Sequence, residues 1–407
     1  AGFRLVYRGS ELSVEDHYEY LGVHVHATRG LKGAADALAA SGSKAMHAML
    51  SRCRRACLTQ FDIKCRMFDI LVEPVLSYAS HIWGPQVFAK HLLGTPYNTQ
   101  AEKVHTSFLR IMTGSIKGVS MDVLYRDLHR LPVMYHWVVL AARWWTKSSD
   151  SHDDEPWSLS SCVWREDVSL ALEGCRDCWS YHVLHTLCSL QLLDSDWRQR
   201  PLDWVLSQRW EESAVQAALA GLFRSRWQGL LAGDPRTAPS AGIHKLTHHT
   251  WVYPLDPDFD PFSRDHAAPH MKLCLSFNVA QNLAQLRVGS AHLEIEQGRK
   301  RRESVPREDR LCRLCSGQDA SLANRAAVLA RTGTSNNVED LKHFLLECPA
   351  YDDLRAVCPA FPVDVYTTLA NPGCVAAVMG HSAQAALANT LFHMKVRRSE
   401  LLELPWA

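Results

Sequence analysis

The segment Cys312-Arg313-Leu314-Cys315, followed further along by His343-Phe344-Leu345-Leu346-Glu347-Cys348-Pro349, contains two short-spaced pairs of metal-binding residue types. The patterns are C-x2-C and H-x4-C, and residues 316–342 separate them. Structural zinc is held by four Cys or His side chains in a closed tetrahedron. The sequence therefore predicts a structural zinc site whose four ligands are Cys312, Cys315, His343 and Cys348. The alternative is that these four are buried or unrelated residues.

The second ligand pair is expected on a short helix. Glu339 and Asp340 suit its first turn, and apolar residues follow on one side. Pro349 disfavours the helical conformation at Cys348, so the helix should end there. Closing the loop between the pairs costs roughly 3 kcal/mol by the logarithmic rule. Structural zinc contributes about 10–16 kcal/mol in finger peptides, so the metal term is the larger.

Composition limits the protein class but does not identify a function. The chain has 407 residues, is 47% hydrophobic and 21% charged, and carries a formal net charge of +1. It is long enough for two or three domains, and any basic surface must be local. We find neither a secretory signal nor an apolar run long enough for a membrane span. Thirteen cysteines, an odd number, favour reduced thiols, so we expect a nuclear or cytoplasmic protein that is not secreted.

The N-terminal thirty residues predict β-structure. Residues 3–7 and 18–25 alternate apolar and polar side chains, and we expect the two strands to pair as an antiparallel hairpin. Two strands alone are marginally stable in water, so a larger sheet should accompany them. That need, together with a first residue that is Ala rather than Met, leads us to expect a fragment of a longer protein.

A basic amphipathic helix is predicted after residue 31. Its apolar stripe is formed by Met46, Met49, Leu50, Cys53 and Cys57. Basic residues lie off or beside that stripe, and residues 43–59 contain no Asp or Glu. A second basic run lies at 299–302. Either set is a solvated surface or a contact for a phosphate backbone. The candidate nucleic-acid-binding residues are Lys44, Arg52, Arg54, Arg55, Arg299, Lys300, Arg301 and Arg302.

The middle of the chain reads as helical. A helix is predicted over 61–83, kinked or restarted at Pro74, with its core side at 63, 67, 70 and 71. Residues 150–233 are helical and rich in Trp, most of which we expect in the core. A proline-rich linker with one strand at 251–253 is predicted over residues 234–270. Terminal helices are expected over 360–407.

A second set of Cys and His occurs in that helical region. Its members are Cys175, Cys178, His182 and His185. Ten residues span about 15 Å along one helix, so all four could not share an ion if that helix is continuous. We interpret them as a packing face.

Several blocks resemble a known family in the order in which that family carries them. YLGV at 20–23 and LVEPVLSYA at 71–79 are similar to the end of the palm and to the thumb of non-LTR (LINE-type) retrotransposon reverse transcriptases. VHTSFLRIMTG at 104–114 resembles the helical connector of these enzymes. LRVGS at 286–290, RLCRLC at 310–315 and EDLKHFLLECPAYDDLR at 339–355 resemble their cysteine-rich C-terminal segment. Residues 150–270 match poorly.

The resemblance implies a mainly α fold with an N-terminal β-hairpin remnant of a palm sheet, a helical thumb and connector, and a small zinc-stapled C-terminal region. The implied divisions are 1–30 for the end of the palm, 31–90 for the thumb, 91–233 for the connector, 234–270 for the linker and 271–407 for the zinc-knuckle region and terminal helices. The implied partners are RNA or DNA and the upstream polymerase palm of the same polyprotein, with no membrane.

The resemblance does not extend to the catalytic residues of the family. The family holds Mg²⁺ on palm carboxylates, and their Asp-Asp turn does not precede Tyr20 in this sequence. Residues 350–353, AYDD, are a lookalike in the wrong place. We therefore name no catalytic residue, expect Mg²⁺ only if the chain is joined to a palm, and expect no polymerase activity alone. The alternative is a zinc-stabilised helical protein-interaction module derived from a retroelement relic.

Overall fold

The computed structural model describes residues 5–7, 10–12, 15–27, 30–115, 119–232, 268, 271, 273, 275–291, 293–300, 305–316, 320–361, 374–379 and 381–403. The predicted linker 234–270, with its strand at 251–253, falls outside these residues except for Ala268. Within the part that is described, no helix is both long and apolar enough to cross a membrane.

The protein is mainly helical, as predicted, with β-structure at its N-terminus. The helices are α1 (Lys32–Arg55), α2 (Phe61–Leu71), α3 (Glu73–Leu76), α4 (Ser80–His91), α5 (Gln100–Thr113), α6 (Met121–Asp127), α7 (Val133–Asp154), α8 (Leu159–Leu172), α9 (Trp179–Ser189), α10 (Leu202–Leu206), α11 (Glu212–Ala232), α12 (Phe277–Arg287), α13 (Glu294–Lys300), α14 (Leu322–Thr332), α15 (Asp352–Ala356), α16 (Cys374–Met379) and α17 (Gln384–Leu401).

The N-terminal strands form two hairpins. Strand β1 (Leu5–Tyr7) pairs with β2 (Ser10–Leu12), and β3 (His17–Tyr20) pairs with β4 (Val23–His26), both antiparallel. The expected N-terminal hairpin is present, but the expected pairing of 3–7 with 18–25 is wrong. Leu21 and Gly22 both have positive φ, 49° and 78°. Two such residues make a tight turn that suits a two-residue hairpin, so the predicted single strand folds back on itself.

Two compact units divide the chain. The first comprises residues 1–56, 66–106 and 131–222, and the second comprises 57–65, 107–130 and 223–407.

Aromatic side chains fill the core of the first unit. The Trp83 and Trp137 rings meet edge to face with centroids 4.7 Å apart, and both side chains are buried. Trp145 contacts Trp164 at 5.2 Å and Trp210 at 5.5 Å. Such pairs stabilise by about 0.5–1.5 kcal/mol beyond the area that they bury. Of the tryptophans predicted as core anchors, Trp197, Trp210 and Trp227 are buried, whereas Trp204 is only partly buried.

Helix α1 buries the predicted stripe in its central turns. Met46, Met49 and Cys53 are almost fully buried, whereas Cys57 lies beyond the helix and is exposed. Gly42 lies on the same helix, and a Cβ there would clash with the Leu76 side chain. A larger residue at Gly42 would therefore require Leu76, in α3, to move.

The predicted helix over 61–83 is three helices. Pro74 lies in the first turn of α3 and so starts a new segment, as expected. The predicted core side is partly wrong, because Ile70 is 70% exposed and Leu71 is 41% exposed. Phe61, Cys65 and Phe68 are buried instead. Both sides of α2 carry apolar residues, so spacing alone did not identify the buried one.

In the second unit, helix α12 packs against α17. Gln281 Nε2 donates to the carbonyls of Ile111 and Met112, and Gln285 Nε2 donates to that of Gly114 at 3.1 Å. These carbonyls belong to the last turn of α5 and the residue after it, where helical partners are missing. Two glutamines of α12 therefore satisfy the C-terminal end of α5.

Candidate metal centre

The four residues predicted as zinc ligands lie together. Their ligand atoms are all within 4.8 Å of one another, and all four residues are at most 1% exposed. Cys312 Sγ lies 3.8 Å from Cys348 Sγ, and Cys315 Sγ lies 3.2 Å from His343 Nε2. The contacts thus join one member of each sequence pair to one member of the other.

Backbone pairing fixes the first ligand pair. Leu311 forms an isolated antiparallel bridge with Val338, and the Cys312 N–H donates to the Asn337 carbonyl at 2.8 Å. The chain then turns through residues 313–316, where the Ser316 N–H donates to the Cys312 carbonyl at 2.8 Å. This turn places both thiols of the C-x2-C pair on one side of the backbone.

A π-helical turn, His343–Glu347, positions the second ligand pair. On an α-helix, residues five apart point about 140° away from each other. The wider π-turn, whose Cys348 N–H donates to the His343 carbonyl at 2.9 Å, brings residues i and i+5 to the same side. Cys348 ends the turn with extended backbone, φ −68° and ψ 118°, as Pro349 predicts. The H-x4-C spacing therefore matches the local helix geometry.

Of the residues between the pairs, the structure describes Ser316 and 320–342, which include helix α14. Ser321 caps α14 by accepting the Asn324 N–H, and Gly333 ends that helix with a positive φ of 73°. Residues 333–336 are exposed, as expected for the predicted loop, whereas Asn337 is buried. Helix α14 shortens the flexible part of the connection, which lowers the entropy cost of closing it.

A carboxylate contacts the ring nitrogen of His343 that faces away from the three thiols. Its Nδ1 lies 3.3 Å from Glu347 Oε2, and Glu347 also pairs with Lys342 at 3.1 Å. A carboxylate on the far nitrogen fixes the tautomer and ring orientation of a metal-binding histidine. The arrangement leaves Nε2 facing the three thiols, so it is the nitrogen available to a metal.

Glu339 was expected in the first turn of the helix that carries the second ligand pair. It instead precedes that helix and is 1% exposed. Its two carboxylate oxygens each accept from Arg398 at 2.7 Å, and Oε2 also accepts the Glu294 N–H at 2.7 Å. Oε1 lies 4.0 Å from Cys312 Sγ. Asp340 does cap the helix, accepting the His343 N–H at 2.9 Å.

Two arginines satisfy carbonyls around the second ligand pair. Arg355 is buried and donates to the carbonyls of Leu345 and Cys348. Arg331 donates to the Glu347 carbonyl at 2.9 Å, and both arginines pair with Asp352. Residues 350–353, the lookalike of the Asp-Asp turn, lie in a short helical connection.

Without a metal, the cluster favours one thiolate and opposes a second. Hydrogen bonds with Cys312 and Cys348 lower the pKa of Cys315 despite its burial. Hydrogen bonds with Cys312 and Cys315, followed by burial, raise the pKa of Cys348. Burial alone would lower the pKa of His343, but hydrogen bonds with the Cys312 and Cys315 sulfurs and with Glu347 raise it well above its ordinary value. A cation at the centre would remove the opposition to further thiolates.

The chemistry of the donor set fits a structural metal such as zinc. Three sulfurs and one imidazole nitrogen are the soft and borderline ligands that Zn²⁺ takes in tetrahedral structural sites. Four protein ligands also fill the coordination shell, so no position stays open for a substrate. Cys312, Cys315, His343 and Cys348 would hold the ion, and what it would supply is a cross-link between the two ligand pairs.

The basic residues predicted to bind nucleic acid are placed only in part. Lys44, Arg52, Arg54 and Arg55 are all exposed on α1. The backbone of Arg299 and Lys300 ends α13, but the side chains of these two residues, like Arg301 and Arg302 entirely, fall outside the description.

The second Cys and His set does not form a metal site. Cys175 and Cys178 precede α9, which begins at Trp179, so the set does not lie on one continuous helix as assumed. Among the residues that the structure describes, only the Cys312 cluster groups three or more such ligands around one point. Cys178 is buried and His182 is partly buried, but Cys175 and His185 are exposed, so the predicted packing face is only partly correct.

Three residues around the cluster were not identified from the sequence: Glu339, Glu347 and Arg398. Glu347 had a usable signal, because a carboxylate four residues after a helical histidine can reach it. Arg398 had none, since it approaches Glu339 from a separate helix far along the chain.

Comparison of the chain with protein-family models, with curated proteins and with solved structures found no match.

Proposed function

We propose that this chain is the C-terminal part of a LINE-type retrotransposon reverse transcriptase and that it binds RNA or DNA. The observation that carries the proposal is the buried Cys3His cluster, because it lies in the segment that most closely resembles the family. Zinc would hold that segment together, and the thumb-like region would supply nucleic-acid contacts. The resemblance of the blocks at 20–23, 71–79 and 104–114 supports the same origin for the N-terminal part of the chain.

The cationic side of α1 supports nucleic-acid binding. At 100° per residue, Arg52, Arg54 and Arg55 lie within about 80° of Lys44 around the helix axis. Met46, Met49 and Cys53 lie on the opposite side and are buried. Lys44 and Arg55 are about 16 Å apart along the axis. An exposed row of this kind can follow several phosphates, and it acts within a Debye length of about 8 Å although net charge is near zero.

The test is the binding of labelled single-stranded RNA by the full chain across a salt series. We expect Lys44, Arg52, Arg54 and Arg55 changed together to Ala to weaken binding. The dependence of log affinity on log salt should flatten by roughly 0.7 for each lost phosphate contact.

A matched control removes four exposed cations elsewhere: Lys90, Lys103, Lys147 and Arg176. This control should bind nearly as wild type does. If the α1 variant keeps wild-type affinity and salt dependence, α1 is not the binding surface.

The upstream polymerase palm is the second proposed partner. The palm would supply the Mg²⁺-binding carboxylates, so this chain should not incorporate nucleotides alone. Template-primed incorporation above background by the isolated chain, with Mg²⁺ present, would contradict this part of the proposal.

A protein-interaction role is the competing proposal, and exposed apolar residues favour it. Tyr18, Leu21, Val25 and Tyr78 are between 41% and 72% exposed, and the Tyr78 hydroxyl donates to the Leu21 carbonyl at 2.8 Å. Contiguous apolar surface often marks a protein contact. The gene decides between the two: an in-frame palm motif upstream favours the reverse-transcriptase origin, and an independent start codon favours the interaction module.

A further inference from the structure

The buried pair of Glu339 and Arg398 connects the candidate metal centre to the last long helix. Arg398 lies in α17 and is 5% exposed, and its guanidinium donates to both oxygens of Glu339 at 2.7 Å. Such a two-pronged contact is both strong and specific in geometry. The same guanidinium lies 3.8 Å from Glu294 Oε1, at the start of α13. Arg398 therefore holds two separate segments against α17.

The positive charge of Arg398 matters for metal binding at the candidate site. Three thiolates and a neutral imidazole around Zn²⁺ carry a net charge of −1, and Glu339 Oε1 is 4.0 Å from one of those sulfurs. Two buried negative groups at that distance repel each other strongly in a low dielectric. Arg398 supplies the positive charge that balances the carboxylate beside the thiolate.

Two backbone hydrogen bonds fix the position of Glu339. The Glu339 N–H donates to the Arg310 carbonyl at 2.9 Å, and the Glu339 carbonyl accepts the Ile295 N–H at 3.1 Å. Glu339 thus lies between the segment that leads into Cys312 and the start of α13. A shift of its carboxylate would move the segment that precedes His343.

We propose that the Glu339–Arg398 pair couples metal binding to the docking of α17, so that each stabilises the other. This coupling rests on the proposed zinc site. By reciprocity, if bound metal tightens the hold on α17, then loss of that hold weakens metal binding by the same factor. Arg398 is a positioning residue, because it acts on the metal ligands through Glu339.

Zinc affinity of the full chain, measured by chelator competition, tests the coupling. Arg398→Met should bind zinc about 5- to 150-fold more weakly, the usual size of a coupling between two sites. Arg398→Lys, which restores the charge without the two-pronged contact, should recover part of the loss. The matched control is Arg397→Met on the same helix, whose ion pair with Asp353 is partly exposed. That control should bind as wild type does.

Hydrogen exchange supplies a readout that fold stability alone would not give. Zinc should slow amide exchange in α17 of the wild type and of Arg397→Met, but not in Arg398→Met. Should Arg398→Met fail to fold, the pair Glu339→Gln with Arg398→Met removes the unpaired buried charge and serves in its place.

The outcomes separate the two claims. Equal zinc content in the wild type and in Cys315→Ser would contradict the proposed metal site itself. If zinc occupies the cluster but Arg398→Met, or the paired variant, binds it within threefold of wild type, the coupling is wrong. It is also wrong if bound zinc leaves exchange in α17 unchanged.

Discussion

At the scale of single residues, the metal-free cluster holds protons that a metal must displace. The pKa values of Cys348 and His343 are both raised, so both groups hold their protons to a higher pH than an ordinary thiol and imidazole do. Bound metal needs a thiolate and a neutral imidazole at these positions. Raising the pH therefore favours zinc binding, and lowering it favours release.

We predict that zinc uptake by the metal-free chain releases protons, including one from the Cys348 thiol and one from the His343 imidazolium. Calorimetry in buffers of different ionisation enthalpy measures the number. Cys315→Ser, which lacks a complete site, should release far fewer. Zinc affinity that stays constant across the neutral pH range would contradict the protonated state described for the cluster.

Arg355 provides a second prediction at this scale. Changing it to Met leaves the buried carbonyls of Leu345 and Cys348 without their donor, at about 1–3 kcal/mol for each unpaired group. We expect the free energy of unfolding to fall by about 2–6 kcal/mol, measured by urea denaturation of the zinc-loaded chain. Arg397→Met, whose ion pair is partly exposed, should cost less than about 1 kcal/mol. Equal losses in the two variants would show that the Arg355 contacts contribute little.

At the scale of elements, the sequence predicted what depends on short spacing and missed what depends on distant packing. Two local patterns predict the four metal ligands. Pro349 predicts where the helical turn that carries His343 ends. The hairpin pairing was missed because a turn at Leu21 and Gly22 depends on positive φ at a residue that rarely adopts it. The Glu339–Arg398 pair was missed because no local pattern relates two residues on separate elements.

At this scale, the testable prediction concerns the second basic run, residues 299–302. Arg310 donates to the Ile295 carbonyl, and a Cβ on Gly298 would meet Arg310 Cγ at 2.7 Å, so α13 lies directly against the residue that leads into the cluster. The run begins at the end of this helix. Changing Arg299, Lys300, Arg301 and Arg302 together to Ala should weaken RNA binding across sequences and reduce its salt dependence.

Filter binding or fluorescence anisotropy at several salt concentrations measures this effect. The fourfold α1 variant provides the comparison, since loss in both variants would indicate that both surfaces contribute. Unchanged affinity together with unchanged salt dependence would exclude the run from the binding surface.

At the scale of the whole molecule, the mainly α fold was predictable from helical periodicity over most of the chain. The predicted divisions at residues 30, 90, 233 and 270 followed the family resemblance and stay predictions. The two compact units each combine segments from distant parts of the sequence. Such units arise from tertiary contacts that composition and linker signals do not encode, so a linear division of the chain could not have predicted them.

The central claim is that Cys312, Cys315, His343 and Cys348 together hold one structural zinc ion. Elemental analysis of the purified full chain beside Cys315→Ser tests it most directly, and Cys57→Ser is the matched control because Cys57 is exposed and away from the cluster. We predict that wild type and Cys57→Ser contain one more zinc per chain than Cys315→Ser. Equal zinc in all three proteins would contradict the claim.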